Sequence, residues 1–423
     1  MNTTARTDRT RSARAIDVVI VGAGHSGLAI SHCLGQRSID HVVLERGEVA
    51  NSWRHERWDS LRLLTPNWQN SLPGYAYSGN DPDGFMTMPE VVEFIEGYAV
   101  RNSAPVITET EVTSIRRGED TYRVETCAGA WMSRAIVIAS GAFSTPAVPV
   151  LSSSFASSIA QFTSKDYRNP TDLPDAAVLV VGASATGLQL AEEIHRSGRS
   201  VTLAVGEHIR MPRQYRGRDV QWWMSSVGVL DQTYKEIDDI DRARRVPSPQ
   251  LVGTPERTTL DLNVLQDIGV AITGRLVSAS GHKAQFSGSL ANHCAMADLK
   301  LNRLLGAFDD WATDAGLNSE LGIPSRPART RVDDSPLLTL DFKKAGIGTI
   351  VWATGLSPDH RWLELPVFDR RGRIRHDGGV VSPGVYLMGL PFMRRRKSSY
   401  IHGTEDDARE LSSHLASYLR RDH

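Results

Sequence analysis

The residues with the most chemical content are glycines. Gly22, Gly24 and Gly27 in DVVIVGAGHSG, and Gly182 and Gly187 in VLVVGASATG, each follow a run of β-branched and aliphatic residues. A strand that ends in G-x-G-x-x-G and opens a helix is a cradle for a dinucleotide pyrophosphate. The first glycine allows the tight turn, the second lets backbone approach the phosphates, and the third lets helix and strand pack closely. Ser26 falls inside the first elbow, and Ser184 and Thr186 inside the second. Ser184 takes the place of the middle glycine. A serine tolerates that backbone conformation and offers its hydroxyl to a phosphate, at the loss of the closest approach.

Glu45 ends HVVLE, the next apolar run after the first elbow, and Arg46 follows it. A carboxylate there accepts hydrogen bonds from a ribose 2′-OH, so this elbow is expected to take an adenosine ribose without a 2′-phosphate. FAD and NAD both qualify. In the second copy, aligning the strands puts Ala204 where Glu45 stands, and HIRMPRQYRGRD brings Arg210, Arg213, Arg216 and Arg218 behind the strand. Guanidinium forks bind phosphate bidentately, so Arg210 and Arg213 are expected to select NADPH over NADH. Glu207 argues for a ribose instead, and for at least two of the four arginines a solvated basic loop is equally open. Two nucleotides on one chain imply electrons passing from a nicotinamide to a flavin, chemistry that the cofactors carry.

The elements that must position these residues form one long internal echo. Both stretches read strand, glycine elbow, helix, strand, with strands apolar enough to be buried on both faces. Alternation of this kind implies an α/β protein with parallel, doubly wound sheets. The fold class expected is two Rossmann-like dinucleotide-binding domains, a two-dinucleotide-binding-domain flavoprotein. FSTPAVPVLSSS (143–154) reads as a linker out of the first domain. IGTIVWATG (347–355) reads as a strand that returns to the first domain. The boundaries expected are a disordered tail over 1–15, an FAD domain from 16–150 and 346–423, and an NAD(P)H domain over 161–345. Leu301, Leu304, Leu305, Phe308 and Trp311 follow helical spacing and read as packing.

The chain has 423 residues and a formal net charge of −1, which gives no hint of nucleic acid or an anionic membrane as partner. Three widely spaced cysteines, Cys33, Cys127 and Cys294, argue against a disulfide framework and against a Cys-x-x-Cys zinc or redox pair, and no metal site is expected. No apolar run approaches the ~20 residues of a membrane helix. The Thr/Arg-rich start lacks a signal-peptide core. The cytoplasm fits this set best, and a homodimer is left open.

Taken together, the motifs resemble the flavin-containing monooxygenases and their bacterial CzcO-like relatives, the class B flavoprotein monooxygenases. Besides the elbows, the resemblance rests on NSWRHERWDSLRLLTP, on ASG ending at Gly141, on QFTSKDYRNP and on WATGLSPD. QFTSKDYRNP departs from the family signature by Thr163 in place of its histidine, and Ala353-Thr354-Gly355 is followed by Leu356 where the family has tyrosine. The resemblance implies FAD at the first elbow, NADPH at the second, and a flavin C4a-(hydro)peroxide as oxidant, with NADP⁺ retained to shield it from water. It implies insertion of one oxygen atom from O2 into a small organic substrate, by N- or S-oxygenation, hydroxylation or Baeyer–Villiger chemistry. It places Trp53, Asp59 and Thr65 along the flavin, although plain packing serves equally for Trp53. It offers Asn67 as a catalytic amide beside the ring and brings Gly389 close to it. Arg394 to Lys397 reads either as a solvated loop or as a cationic strip for an anion, and Gln221 to Trp223 as pocket lining or packing. The competing readings are a flavoprotein reductase that feeds a soluble partner or O2, and a redox-sensing regulator without turnover.

Overall fold

The computed structural model describes residues 13–421. The expected tail lies outside the described residues up to position 12, and Arg14 and Ala15 already belong to the first strand.

The first domain opens with β1 (Arg14–Val21), α1 (His25–Gly35) and β2 (His41–Leu44). The aliphatic core of β1, Val18 to Ile20, is fully buried, as a strand covered on both faces requires. After α2 (Asn51–His55) comes α3 (Met88–Arg101), which starts on a capping box between Thr87 and Glu90. It buries Val91, Ile95 and Tyr98 against the sheet. β3 (Val106–Ile107), the hairpin β4 (Val112–Arg117) and β5 (Tyr122–Thr126), and β6 (Gly129–Ile138) complete this part.

The chain then leaves through β7 (Thr145–Pro146) into a five-stranded parallel sheet. Its strands are β8 (Ala160–Thr163), β9 (Ala177–Val181), β10 (Val201–Ala204) and β11 (Ala271–Thr273), with α4 (Ala185–Arg196) after the second elbow. Short helices, among them α5 (Val220–Ser226) and α6 (Ile240–Ala243), lie in the insertion between β10 and β11. The long α7 (Leu290–Asp314) packs Leu301, Leu305 and Phe308 against Trp223 of α5.

The last strand of this sheet corrects the sequence reading. β12 (Ile347–Trp352) does not return to the first domain; it pairs in parallel with β8 on one side and β9 on the other. The boundary expected at 345/346 therefore lies beyond this strand. The physical reason is burial: Ile350 and Val351 are fully enclosed, which suits a central position and not a connection. The return begins only at β13 (Leu356–Ser357), which pairs antiparallel with β7, so the outgoing and returning crossings form one two-stranded ribbon. β14 (Val380–Ser382) and β15 (Val385–Leu387) then join the first sheet, whose order is β14-β15-β6-β1-β2-β3 with the β4–β5 hairpin beside β6. α8 (Thr404–Arg421) closes the chain against α1.

Asp407, in the first turn of α8, is fully buried and pairs with Arg395 at 2.9 Å. Burial outweighs that partner and pushes the carboxyl up from 3.8 to about 6. The unfolded chain gives up the same proton near ~3.9. The stability it contributes is therefore present below that pH and lost as pH rises through the folded value of about 6. Asp407→Asn is expected to remove this fall, seen as a flatter melting temperature between pH 4 and 7. Identical pH profiles for the two proteins would contradict the assignment.

Candidate functional site: two elbows and one cleft

The two elbows are the same structure made twice. Gly22 has φ +105° and Gly182 φ +112°, conformations that favour glycine. A Cβ on Gly27 would stand 1.9 Å from the Gly22 carbonyl oxygen, and one on Gly187 would stand 1.8 Å from that of Gly182. A Cβ on Gly22 would strike the Ala139 oxygen at 2.6 Å, and one on Gly182 the Ala353 oxygen at 2.4 Å. Ala353-Thr354-Gly355 therefore does for the second elbow what Ala139-Ser140-Gly141 does for the first, with Gly355 at φ +95° and Gly141 at +88°.

The middle position behaves differently. Gly24 has φ −80° and Ser184 φ −84°, both extended and open to any residue. A Cβ on Gly24 would meet nothing within 4 Å, and the Ser184 side chain caps no helix amide. No contact within the protein demands a glycine there, so the requirement comes from whatever fills the open space before α1 or α4.

Register sharpens the ribose-reading position. Val21 lies opposite Leu44, and Val181 lies opposite Ala204. The counterpart of Glu45 is thus Val205, one residue beyond the Ala204 of the sequence alignment. Both bear no carboxylate, so the contrast between the elbows stands. Glu45 is buried and accepts from the Ala23 amide at 2.7 Å and the Gly47 amide at 3.2 Å. Arg46 is turned away to Glu56. Glu207 is exposed and paired with Lys300 at 3.3 Å.

The arginines assigned to a nucleotide phosphate are committed elsewhere. Arg210 spends its guanidinium on Asp261 at 2.6 Å, Asp298 at 2.8 Å and the Ala328 carbonyl at 2.7 Å. Arg213 is buried on Asp219 and the Leu64 carbonyl, and Arg216 on Asp309. These guanidiniums weld the insertion to α7 and to the first domain. The free cation at the second elbow is Arg275, two residues beyond β11, whose stem lies against Gly206 and which no carboxylate pairs with among the described residues. Nothing in its local sequence separates it from the four arginines behind β10; only the neighbouring strand brings it there.

The second elbow opens on a cleft of about 2150 Å³ between the domains. Small-ligand sites run to about 300–1,000 Å³, so this space suits a nucleotide together with a substrate. Gly182, Ser184, Thr186, Arg275 and Ala353 to Gly355 line it from one side. Trp53, Leu61 to Thr65, Ala142 and Leu390 to Phe392 line it from the other. His360, also in the lining, has a buried Nε2 without a partner, and burial pulls its pKa down to about 4, so the ring is neutral at working pH.

Of three residues expected on the flavin side, two lie elsewhere. Asn67 does not line the cleft: its amide donates to the Asp81 carbonyl at 2.9 Å, because a 3₁₀ turn after Pro66 aims it into its own loop. Asp59 is exposed and accepts from Asn169 at 2.9 Å. Thr65 lines the cleft and donates to Asn70 at 2.8 Å. The signature-like segment explains Asp59: Arg168 reaches the carbonyls of His55 and Arg57, so the segment clamps the Trp53–Asp59 loop to the second domain. Thr163 closes its first turn by donating to Asp166 at 2.7 Å. Gln221 and Trp223 are buried packing of α5, while Trp222 is half-buried among other rings.

Around the first elbow the residues fit a flavin nucleotide. The space before Gly24 is open, Glu45 faces the elbow, and His25 Nε2 and Ser140 Oγ are buried without partners. Gly389, at φ +78°, approaches so closely that a Cβ would stand 2.4 Å from Ser26 Oγ.

Comparison with known proteins agrees with this geometry. A family model described as pyridine nucleotide-disulphide oxidoreductase matches residues 19–228. An oxidoreductase of Geobacillus kaustophilus named CzcO-like is 28% identical over 95% of this chain and 99% of its own. The chain is thus similar to a CzcO-like oxidoreductase along nearly its whole length. Over slightly less than half its length it is also 30% identical to the indole-3-pyruvate monooxygenase YUCCA1 of Oryza sativa, covering 47% of this chain and 50% of that one. Among solved structures, a flavin-containing monooxygenase from Stenotrophomonas maltophilia superposes with a TM-score of 0.67 at 19% identity, over 96% of this chain and 99% of that one. A bacillithiol disulfide reductase from Bacillus cereus does so at 0.61 and 15%, over 96% and 99%. The fold of this chain is therefore the one that these two structures share.

Gly24→Ala is expected to leave the melting temperature of the apoprotein unchanged while cutting bound FAD about tenfold, because the new methyl meets only ligand. Full FAD occupancy in this variant would place the pyrophosphate elsewhere.

Proposed function

We propose that the chain is an NADPH-dependent, FAD-containing monooxygenase acting on a small organic substrate with O2. The observation that carries this reading is that the second elbow and the first domain's Trp53–Thr65 and Leu390–Ile401 segments line one cleft. A nicotinamide held at one and a flavin held at the other would meet inside it. The alternative of disulfide reduction lacks its chemistry: among the described residues Cys33 and Cys294 are buried in separate cores, Cys127 is exposed, and none forms a pair.

The residues divide the work as follows. Backbone amides at Gly24 to Ser26 and the N-terminus of α1 would receive the FAD pyrophosphate, and Glu45, held by the Ala23 amide, would accept from its ribose. Ser184, Thr186 and the start of α4 receive the second pyrophosphate, and Arg275 meets a 2′-phosphate. Trp53, Leu61, Leu63 and Phe392 present apolar surface that keeps water from the reacting centre. When bound, FAD supplies the two-electron chemistry and the activation of O2 that no side chain can perform.

Two measurements test this. NADPH consumption should depend on substrate, and product formed under ¹⁸O2 should carry one labelled atom; NADPH oxidation that yields only peroxide or a reduced carrier protein would sink the monooxygenase reading. Separately, Arg275→Ala is expected to raise the KM for NADPH about tenfold, the loss of ~1.5 kcal/mol from a charge-assisted contact, and to leave that for NADH unchanged. Equal effects on both would remove Arg275 from the phosphate.

A further inference from the structure

The basic run Arg394 to Lys397 is neither a solvated loop nor a uniform strip. Arg394 pairs with Glu410 at 2.5 Å, Arg395 with Asp407 at 2.9 Å, and Lys397 with Asp231 at 2.6 Å and Asp406 at 3.0 Å. These stitch the segment to α8 and to the insertion. Arg396 differs. Among the described residues it has no carboxylate; one NH2 donates to Gln232 at 2.6 Å, and its Nε is buried without a partner. Its guanidinium stacks 4.8 Å from the centre of the Phe392 ring.

Arg244, which follows α6 in the second domain, reaches the backbone of the same phenylalanine. Its Nε donates to the Phe392 carbonyl at 3.1 Å and its NH2 to that of Met393 at 3.3 Å. It too has no carboxylate among the described residues, although Asp241 lies nearby and is held by Arg373 at 2.9 Å. Phe392 is buried with φ +46°, a left-handed conformation that costs a non-glycine residue about 1–3 kcal/mol. The strained backbone holds the Phe392 carbonyl where Arg244 can reach it and sets the ring under Arg396. Arg244, Phe392, Arg396, Ser399 and Tyr400 all line the cleft, along which arginines outnumber carboxylates. Burial draws the pKa of both guanidiniums down, as expected of cations whose counter-charge is missing.

A buried guanidinium paired only with neutral groups is costly, whereas a carboxylate accepts two parallel N–H bonds from its fork. We propose that Arg244 and Arg396, which both contact Phe392, form an anion subsite that holds the carboxylate of a small organic acid, so that the substrate of this cleft is an organic anion. The subsite is assembled from both domains, with Arg244 from the second and Arg396 from the C-terminal segment of the first. The inference rests on the monooxygenase reading for the word substrate, but not for the binding itself. The same cations offer a place to a nucleotide phosphate, and the test separates the two.

The test is a titration of the FAD-loaded protein, followed by the flavin difference spectrum. The probes are phenylacetate, 3-phenylpropionate and hexanoate, each beside its primary amide, with NADP⁺ titrated in parallel. In the natural protein at least one carboxylate is expected to bind about tenfold more tightly than its amide. Arg396→Gln and Arg244→Gln should each erase that preference and leave the NADP⁺ affinity within about twofold, and Arg396→Lys should restore part of it. The proposal is overturned if no carboxylate outbinds its amide in the natural protein, a comparison that needs no variant to fold. It is also overturned if the substitutions weaken NADP⁺ as much as the carboxylate, which would assign the guanidiniums to the nucleotide. A protein that prefers carboxylates yet makes no oxygenated product would retain the subsite and lose the monooxygenase reading.

Discussion

The cleft depends on a contact in which no side chain takes part. In each domain the carbonyl of the first elbow glycine lies where a methyl group on the third would have to be, at 1.9 Å in one case and 1.8 Å in the other. Only by removing both Cβ atoms can the first turn of the helix be drawn up against the end of the strand. That approach points unpaired amides and the positive end of the helix at one spot in space. The parallel strand beside the elbow strand, β6 or β12, is locked to the same spot by the alanine just past its end, Ala139 or Ala353. Everything that faces a nucleotide in this protein hangs from those two junctions.

The elbows and the strands beneath them were legible because their signals are local. A buried parallel strand is a run of aliphatic residues, and a glycine forced by backbone geometry is visible as a letter. Glu45 was legible for the same reason. Arginine is not a local signal. Arg210 and Arg275 look alike in the sequence, yet the first is neutralised by Asp261 and Asp298, far along the chain, and the second is left free beside Gly206. Which carboxylate a guanidinium finds is settled by packing between elements, and no window of sequence contains it. Asn67 shows the same limit on a smaller scale: the turn after Pro66 decides where its amide points, and that amide donates to the Asp81 carbonyl in its own loop. The aliphatic run at 347–352 marks a strand but not its sheet, because the order of strands in a sheet leaves no trace in their composition.

The likeness to both a monooxygenase and a disulfide reductase shows how little the fold decides about chemistry. What separates such proteins is the equipment of the cleft. Here the thiols are withdrawn: burial pushes Cys294 up to about 11 and raises Cys33 as well, so neither is a ready nucleophile. The polar groups that line the cleft are arginines, a smaller number of carboxylates, hydroxyls and the neutral imidazoles of His360 and His376, which recognise and orient ligands more readily than they exchange electrons.

The ribbon formed by β7 and β13 has a mechanical meaning. Both connections between the domains pass through it side by side, tied by the Ser144 amide to the Ser357 carbonyl at 3.0 Å and the Ala147 amide to the Gly355 carbonyl at 2.9 Å. A pair of hydrogen-bonded strands twists and bends readily but resists being stretched or slid apart. The second domain is therefore tethered as a door is by a strap hinge, with rotation as its soft degree of freedom. The Asp241–Arg373 ion pair and the reach of Arg244 to Phe392 cross from one leaf of the hinge to the other, so the angle of the door and the completeness of the anion subsite are a single variable.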